Sequence, residues 1–175
     1  MQKPILAVGN RISIRKVQMS DIPHLTGHDF SLSVVEPLGD FDRIKTVFSQ
    51  TGFWQNERGV FVIIENQSNN ILGTCQFLRS GPCIHGLELG YIVHDPKNRG
   101  KRFASEALLL ASNWLFSWSE SIHRQQLMIA ITNTASWKVA ENAGFVREGI
   151  LRSSGFGVEP EDSYVYSRTL RDLKE

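Results

Sequence analysis

The chain has 175 residues, of which 41% are apolar and 21% charged, and its formal net charge is +1. That length and balance suit one globular domain spanning 1–175 with an ordinary core. The near-neutral charge gives no field to draw nucleic acid or anionic lipid, and no apolar run approaches the ~20 residues that span a bilayer. The opening MQKPILAVGN is too short and too polar for a secretion signal, so cytoplasm is the expected compartment.

Ile12, Ile14 and Val17 lie in a strand-like run, NRISIRKV. Ser20 or Asp21 could then cap a short helix through Ile22 and Leu25. The segment 29–40 has no clean period and reads as a loop or broken helix. Phe41, Ile44, Val47 and Phe48 form a helical stripe that stops near Gly52. Val60, Val62 and Ile64 predict a second strand, with Phe61 and Ile63 on its other face. The polar run 66–70 is a turn by composition, and 71–78 returns as a third strand. Cys75 in that strand reads as a small buried hydrophobe. Cys75 and Cys83 make no CxxC pair and no His/Cys cluster has ligand spacing, so no metal is expected. Residues 80–86 form a further loop.

The stretch 87–116, LELGYIVHDPKNRGKRFASEALLLASNWLF, organises the rest. Leu87, Leu89, Tyr91 and Val93 point to one side of a strand, and Glu88, Gly90 and Ile92 to the other. Asp95-Pro96 ends it, because proline supplies no ladder donor and restricts its predecessor. A basic turn follows at 97–102. Phe103, Ala107, Leu110, Ala111, Trp114 and Leu115 then recur at helical spacing. A helix N-terminus behind a basic, Gly-containing turn is an anion site, because its first N–H groups lack partners and its dipole end is positive. Residues 117–124 form a polar connection and 127–131 a fifth strand. Asn133 opens a short helix over 134–142, stopped by Gly144. Phe145-Val146 begins a sixth strand, and 164–170 alternates as the last. Trp114, Trp118 and Trp137 are expected in the core or at an interface. Strands and helices intermix without repeat or linker, which predicts an α/β domain with a mixed sheet.

Arg99-Gly100-Lys101-Arg102-Phe103-Ala104-Ser105-Glu106-Ala107 resembles the acetyl-CoA pyrophosphate loop of the GNAT superfamily of N-acyltransferases, Gln/Arg-x-x-Gly-x-Gly/Ala. Arg99 and Ala104 fit the outer positions, and Arg102 stands where the middle glycine is usual. The segment 88–93 resembles the family's fourth strand, and Arg15-Lys16-Val17 with Asp21 its opening. Asn133-Thr134-Ala135-Ser136 and Asn142-Ala143-Gly144-Phe145 resemble its RimJ/RimL-like branch, which is ribosomal-protein-alanine N-acetyltransferase-like. The resemblance spans roughly 10–170. It implies a single GNAT-fold domain whose mixed, mostly antiparallel sheet of about six or seven strands is flanked by helices, with a splayed central strand.

The resemblance also implies an activity. Acetyl-CoA is the expected co-substrate, and its acetyl group passes to a primary amine, a protein N-terminus or a small molecule, by direct attack without a covalent enzyme intermediate. Arg99, Gly100, Lys101, Arg102, Phe103, Ala104 and Ser105 would hold the pyrophosphate. Backbone groups of Ile92 and Val93 would pair with the pantetheine arm, and an amide near Val93 would face the oxyanion. Glu88 is the implied general base, directly or through a water; it could equally be a surface or salt-bridged glutamate. Asn133 and Ser136 form a second site, with Ser136 near the thiol, and both are also residue types that cap helices. The tyrosine that many relatives use to protonate the thiolate has no counterpart between 92 and 163. A Cβ at Arg102 is tolerable in right-handed helical dihedrals, whereas a positive φ there counts against the cofactor site.

Asp162, with Glu159 and Glu161 beside it, could attract a cationic amine or solvate a loop. A lone histidine such as His94 is more often structural than catalytic. Acceptor specificity is expected in 26–56, 80–86 and 153–162. Dimers are common in the family, so a homodimer is one assembly the resemblance allows. A non-catalytic acyl-CoA sensor or partner-binding module on the same fold is the competing reading, supported by Arg102 and the missing tyrosine. A general nucleotide binder would need a Gly-x-x-x-x-Gly-Lys-Ser/Thr or Gly-x-Gly-x-x-Gly loop, and neither occurs.

Overall fold

The computed structural model describes residues 4–25, 41–81, 85–154 and 160–173. The elements run β1 (Ile5–Val8), β2 (Ile12–Lys16), a 3-10 turn (Met19–His24), α1 (Phe41–Thr51), β3 (Trp54–Gln55), β4 (Arg58–Glu65), β5 (Ile71–Arg79) and β6 (Leu87–Val93). A second 3-10 turn (Pro96–Asn98), α2 (Phe103–Trp118), β7 (Arg124–Ala130), α3 (Thr134–Asn142), β8 (Val146–Leu151) and β9 (Ser163–Thr169) follow. All the strands join one sheet in the order β1-β2-β4-β5-β6-β7-β9-β8, with β3 paired to β4. The β6–β7 pair is parallel, and the other pairings are antiparallel. A parallel pair needs a long crossover, and α2 is that crossover.

The sheet separates two cores. Phe103, Ala107, Leu108, Ala111 and Leu115 of α2 bury one stripe against Ile12, Ile14, Phe61, Ile63, Leu89 and Val93. On the opposite face Ile44 of α1 packs with Val17, Ile22, Leu25, Val62 and Ile64. Strand β4 feeds both, Phe61 and Ile63 into the first core and Val62 and Ile64 into the second. A strand buried on two faces reads as an unbroken apolar run, which is why VFVII does not alternate. Trp54 sits edge-on to Phe61 and Phe77, with centroids 5.2 Å away in each case, and to Trp114 at 5.7 Å. This aromatic group joins the two-residue β3 to the far end of α2.

The sheet exceeds six or seven strands because β1 and β3 extend it, and neither has a clear sequence signal. Strand β1 is half-exposed with both ends open to solvent, and β3 is too short for alternation to register. The turn after β2 also differs from expectation. Gln18, not Ser20 or Asp21, precedes it, and Asp21 accepts a bond from the Gln18 backbone N–H at 2.7 Å. The same carboxylate takes a bidentate pair from Arg15 at 2.6 and 2.8 Å, with the two side chains 6% and 5% exposed. The Arg15–Asp21 pattern is therefore a buried ion pair anchoring the second core. Cys75 is fully buried, as expected, and burial pushes its thiol up to about 12, so it stays protonated. Cys83, Glu159 and all of 29–40 lie outside the described residues.

Candidate active site

Strands β6 and β7 pair only at Leu87↔Gln125 and Glu88↔Gln126 and then diverge. On its other side β6 stays paired with β5 along its whole length, from Arg79↔Leu87 to Gly73↔Val93. His94 N donates to Leu72 O at 2.9 Å. The alternation of an antiparallel ladder then turns the backbone groups of Ile92 towards β5 and those of Tyr91 and Val93 towards the gap. Gly73 agrees with this: a Cβ there would fall on the Ile92 carbonyl, so only glycine lets β5 approach so closely. Of the two expected pantetheine contacts, Val93 presents its backbone to the gap and Ile92 does not.

The loop beyond β6 is pinned from within. Asp95 accepts from Lys97 N at 2.9 Å and starts the Pro96–Asn98 turn. Arg99 folds back, donating through Nε to Val93 O at 3.1 Å and through Nη2 to His94 O at 3.3 Å. Its charge therefore sits at the mouth of the gap, and two of its donors hold the strand end. Gly100 has φ 75° and Arg102 φ 65°, ψ 9°. Arg102 thus takes the left-handed conformation, not the right-handed one that makes a side chain cheap at this position. The chain must reverse twice within three residues to enter α2, and the second reversal falls on an arginine. A non-glycine residue held there costs roughly 1–2 kcal/mol. That positive φ is the conformation that counts against a cofactor site, although it is one that glycine adopts without steric cost, and the Arg102 side chain is exposed. Arg102 also makes no side-chain cap. The first N–H groups of α2, on Phe103, Ala104 and Ser105, are left as open donors at the positive end of the helix. Phe103 and Ser105 are buried, and Lys101 Nζ donates to Asn98 Oδ1 at 3.3 Å.

Two polar pairs flank the gap. Glu88 lies half-buried on the face opposite α2, and Gln126 Nε2 donates to its Oε2 at 3.3 Å. On the α2 face, the Tyr91 hydroxyl meets Ser136 Oγ at 2.7 Å and donates to Ser136 O at 2.8 Å. Asn133 caps α3, its Oδ1 accepting from Ser136 N at 3.1 Å. The capping role of Asn133 is thus real, and it leaves the Ser136 hydroxyl free to pair with Tyr91. Burial holds the Tyr91 phenol well above its ordinary value, with the Ser136 bond offsetting part of that. Tyr91 is the residue that sequence reasoning missed. It stands one residue outside the interval 92–163, and its place on the same strand face as Leu89 and Val93 was the available signal.

The acidic residues before β9 organise loops. Asp162 accepts from Ser153 N at 2.8 Å, and Glu161 from Thr132 N at 3.1 Å. His94 is buried behind the strand end. Among the described residues no group of three His, Cys, Asp or Glu side chains could hold a metal ion, and no helix is long and apolar enough to cross a membrane.

A splayed parallel pair ending in a turn and an uncapped helix is the arrangement that the 88–107 motif implied, and comparison with known proteins decides the family. The acetyltransferase (GNAT) domain matches residues 11–146. The chain belongs to the GNAT acetyltransferase family. An uncharacterized N-acetyltransferase p20 of Bacillus licheniformis is 25% identical over 149 residues, 81% of this chain and 83% of the relative. Among solved structures, the spermidine N-acetyltransferase of Vibrio cholerae in complex with CoA and spermine superposes with a TM-score of 0.76 at 20% identity, over 94% of this chain and 99% of that one. RimJ of Mycobacterium smegmatis in complex with CoA-disulfide gives 0.74 at 18%, over 94% and 84%. At such identities the structures speak for the GNAT fold alone, and RimJ is among those sharing it.

Proposed function

We propose that the chain transfers an acetyl group from acetyl-CoA to a primary amine by direct attack on the thioester. The observation that carries this reading is the parting of β6 from β7 immediately after Glu88↔Gln126, which leaves the backbone of Tyr91 and Val93 facing a gap that ends at the uncapped start of α2. The open N–H groups of Phe103, Ala104 and Ser105, with Arg99, Lys101 and Arg102 nearby, fit a pyrophosphate. Bound acetyl-CoA would supply the activated acyl carbon and a thiolate leaving group. The Val93 N–H faces the gap and can donate to a carbonyl oxygen placed there.

Glu88, held by Gln126, is the proposed proton acceptor for the incoming ammonium, directly or through a water. Tyr91 and Ser136 are the proposed donors to the thiolate. Tyr91 has one hydroxyl proton and two oxygens of Ser136 within reach. When that proton turns from the Ser136 carbonyl to Oγ, the Ser136 hydroxyl proton is released to point elsewhere. The buried phenol stays neutral at physiological pH, as a relay requires. Small amines such as spermidine and spermine, which the Vibrio relative acts on or binds, are the first acceptors to test, with protein N-termini beside them.

The test is amine-dependent free-thiol release from acetyl-CoA across spermidine, spermine and a short alanine-starting peptide. Release with at least one amine, abolished when the amine is omitted, supports the transferase. Tight acetyl-CoA binding without release on any of them favours the sensor reading.

A further inference from the structure

We propose that Arg11 is a positioning residue for the 99–105 loop, latching the Lys101 peptide so that Arg102 stays left-handed and the loop keeps its anion-binding shape. This rests on the reading of that loop as the acetyl-CoA site. Arg11 lies in the turn between β1 and β2, 90 residues from the loop in sequence. Its Nη2 donates to Lys101 O at 2.7 Å. Its guanidinium lies 4.7 Å from the centroid of the Phe103 ring. Its Nε is 3.4 Å from Glu106 Oε2, and its backbone N–H donates to Glu106 Oε1 at 2.9 Å. One side chain therefore grips residues 101, 103 and 106, on both sides of Arg102, which makes no capping bond of its own.

The direction of the grip matters. In a planar trans peptide the carbonyl and the next N–H point opposite ways. Drawing the Lys101 carbonyl onto Arg11 aims the Arg102 N–H away from β2. A flip of that peptide would lose the donor and turn a carbonyl outward in its place, where it would repel an anion. The ion pair itself matters little, because Arg11 is 49% exposed and solvent screens it. What counts is the charge-assisted bond to one carbonyl, reinforced by stacking. The neighbouring turn is shaped to allow it: a Cβ on Gly9 would collide with Glu106 Oε1, and Asn66 Nδ2 donates to Gly9 O at 3.0 Å.

The test is calorimetric titration of CoA into the full chain and its Arg11→Ala, Arg102→Gly and doubly substituted forms. Because glycine takes the left-handed conformation without steric cost, the two positions should couple. Arg11→Ala is expected to weaken CoA about tenfold in the native background and by no more than about threefold beside Arg102→Gly. Equal losses in both backgrounds, or no loss, overturn the latch. Arg11→Met keeps the stem over Phe103 but has no donor, and it serves the same comparison if the alanine form folds poorly. Amide hydrogen exchange without ligand separates failure of the latch from failure of the site. Faster exchange at the Glu106 amide, which donates to Arg102 O at 3.1 Å, in the Arg11 variants, with β4 and β5 unchanged, is the expected result even if CoA does not bind. Unchanged exchange there overturns the latch whatever the calorimetry shows.

Discussion

Arg102→Gly should make the protein more stable, against the usual direction for glycine. Arg102 sits at φ 65° with its side chain exposed and uncapping. Relieving a left-handed L-residue returns roughly 1–2 kcal/mol. Glycine gives back about 0.5–1 kcal/mol through the greater freedom of its unfolded chain. The net gain lies between about 0 and 1.5 kcal/mol, centred near about 0.75 kcal/mol, or about 2–3 °C in Tm for a chain of this size. Arg102→Ala is the control, since it keeps the Cβ and removes only the solvated stem. Its Tm should lie within about 2 °C of the parent. Thermal unfolding by circular dichroism, with urea unfolding for the free energies, measures both. If Arg102→Gly is no more stable than Arg102→Ala, the left-handed residue is not strained, and the argument built on it is wrong.

Three further outcomes follow from the geometry. Asp21→Ala strips the carboxylate from a guanidinium that is 6% exposed; urea unfolding should show a loss of about 3–5 kcal/mol, and a loss below about 1 kcal/mol would mean that water reaches Arg15. Arg124 holds the Glu148 carboxyl down at about 2, with Ser167 also donating to it. Glu148 therefore contributes stability in full above the unfolded carboxylate value near 4.5, and loses it as pH falls towards 2. The stability gap between the parent and Glu148→Gln should close over that window; at 43% exposure it should be no more than about 1 kcal/mol at neutral pH, and a gap that is independent of pH would rule the pair out. Finally, Ser136→Ala and Tyr91→Phe should lower turnover by about tenfold or more while leaving acetyl-CoA affinity within about twofold. Unchanged turnover in both would remove the pair from the chemistry.

Much of the architecture was legible because the responsible residues act locally. Asn133 and Gly144 bracket α3 through capping geometry that short-range sequence encodes, and Gly144 indeed has φ 78°. The stripe from Phe103 to Leu115 announced α2, and Asp95-Pro96 announced the end of β6. The rest depends on partners distant in sequence. Tyr91 and Ser136 are 45 residues apart, and only the course of the sheet brings them together. The Arg11 latch spans 90 residues, and nothing in NRISIRKV marks its first arginine as different from Arg15. The handedness of Arg102 was not legible either: arginine prefers right-handed space, and the turn from Gly100 into α2 overrides that preference. Glu88 could be placed on its face by alternation, but its Gln126 partner required the parallel register of β6 and β7.

The central claim is that acetyl-CoA lies in the gap between β6 and β7 with its pyrophosphate on the start of α2. Backbone amide chemical shifts, recorded by NMR during titration with acetyl-CoA and separately with ATP, test it most directly. Saturable shifts centred on Val93 and on residues 102–105 with acetyl-CoA, and not reproduced at Val93 by ATP, are the expected result. Shifts elsewhere with those amides unmoved, or no saturable change with acetyl-CoA, would contradict it.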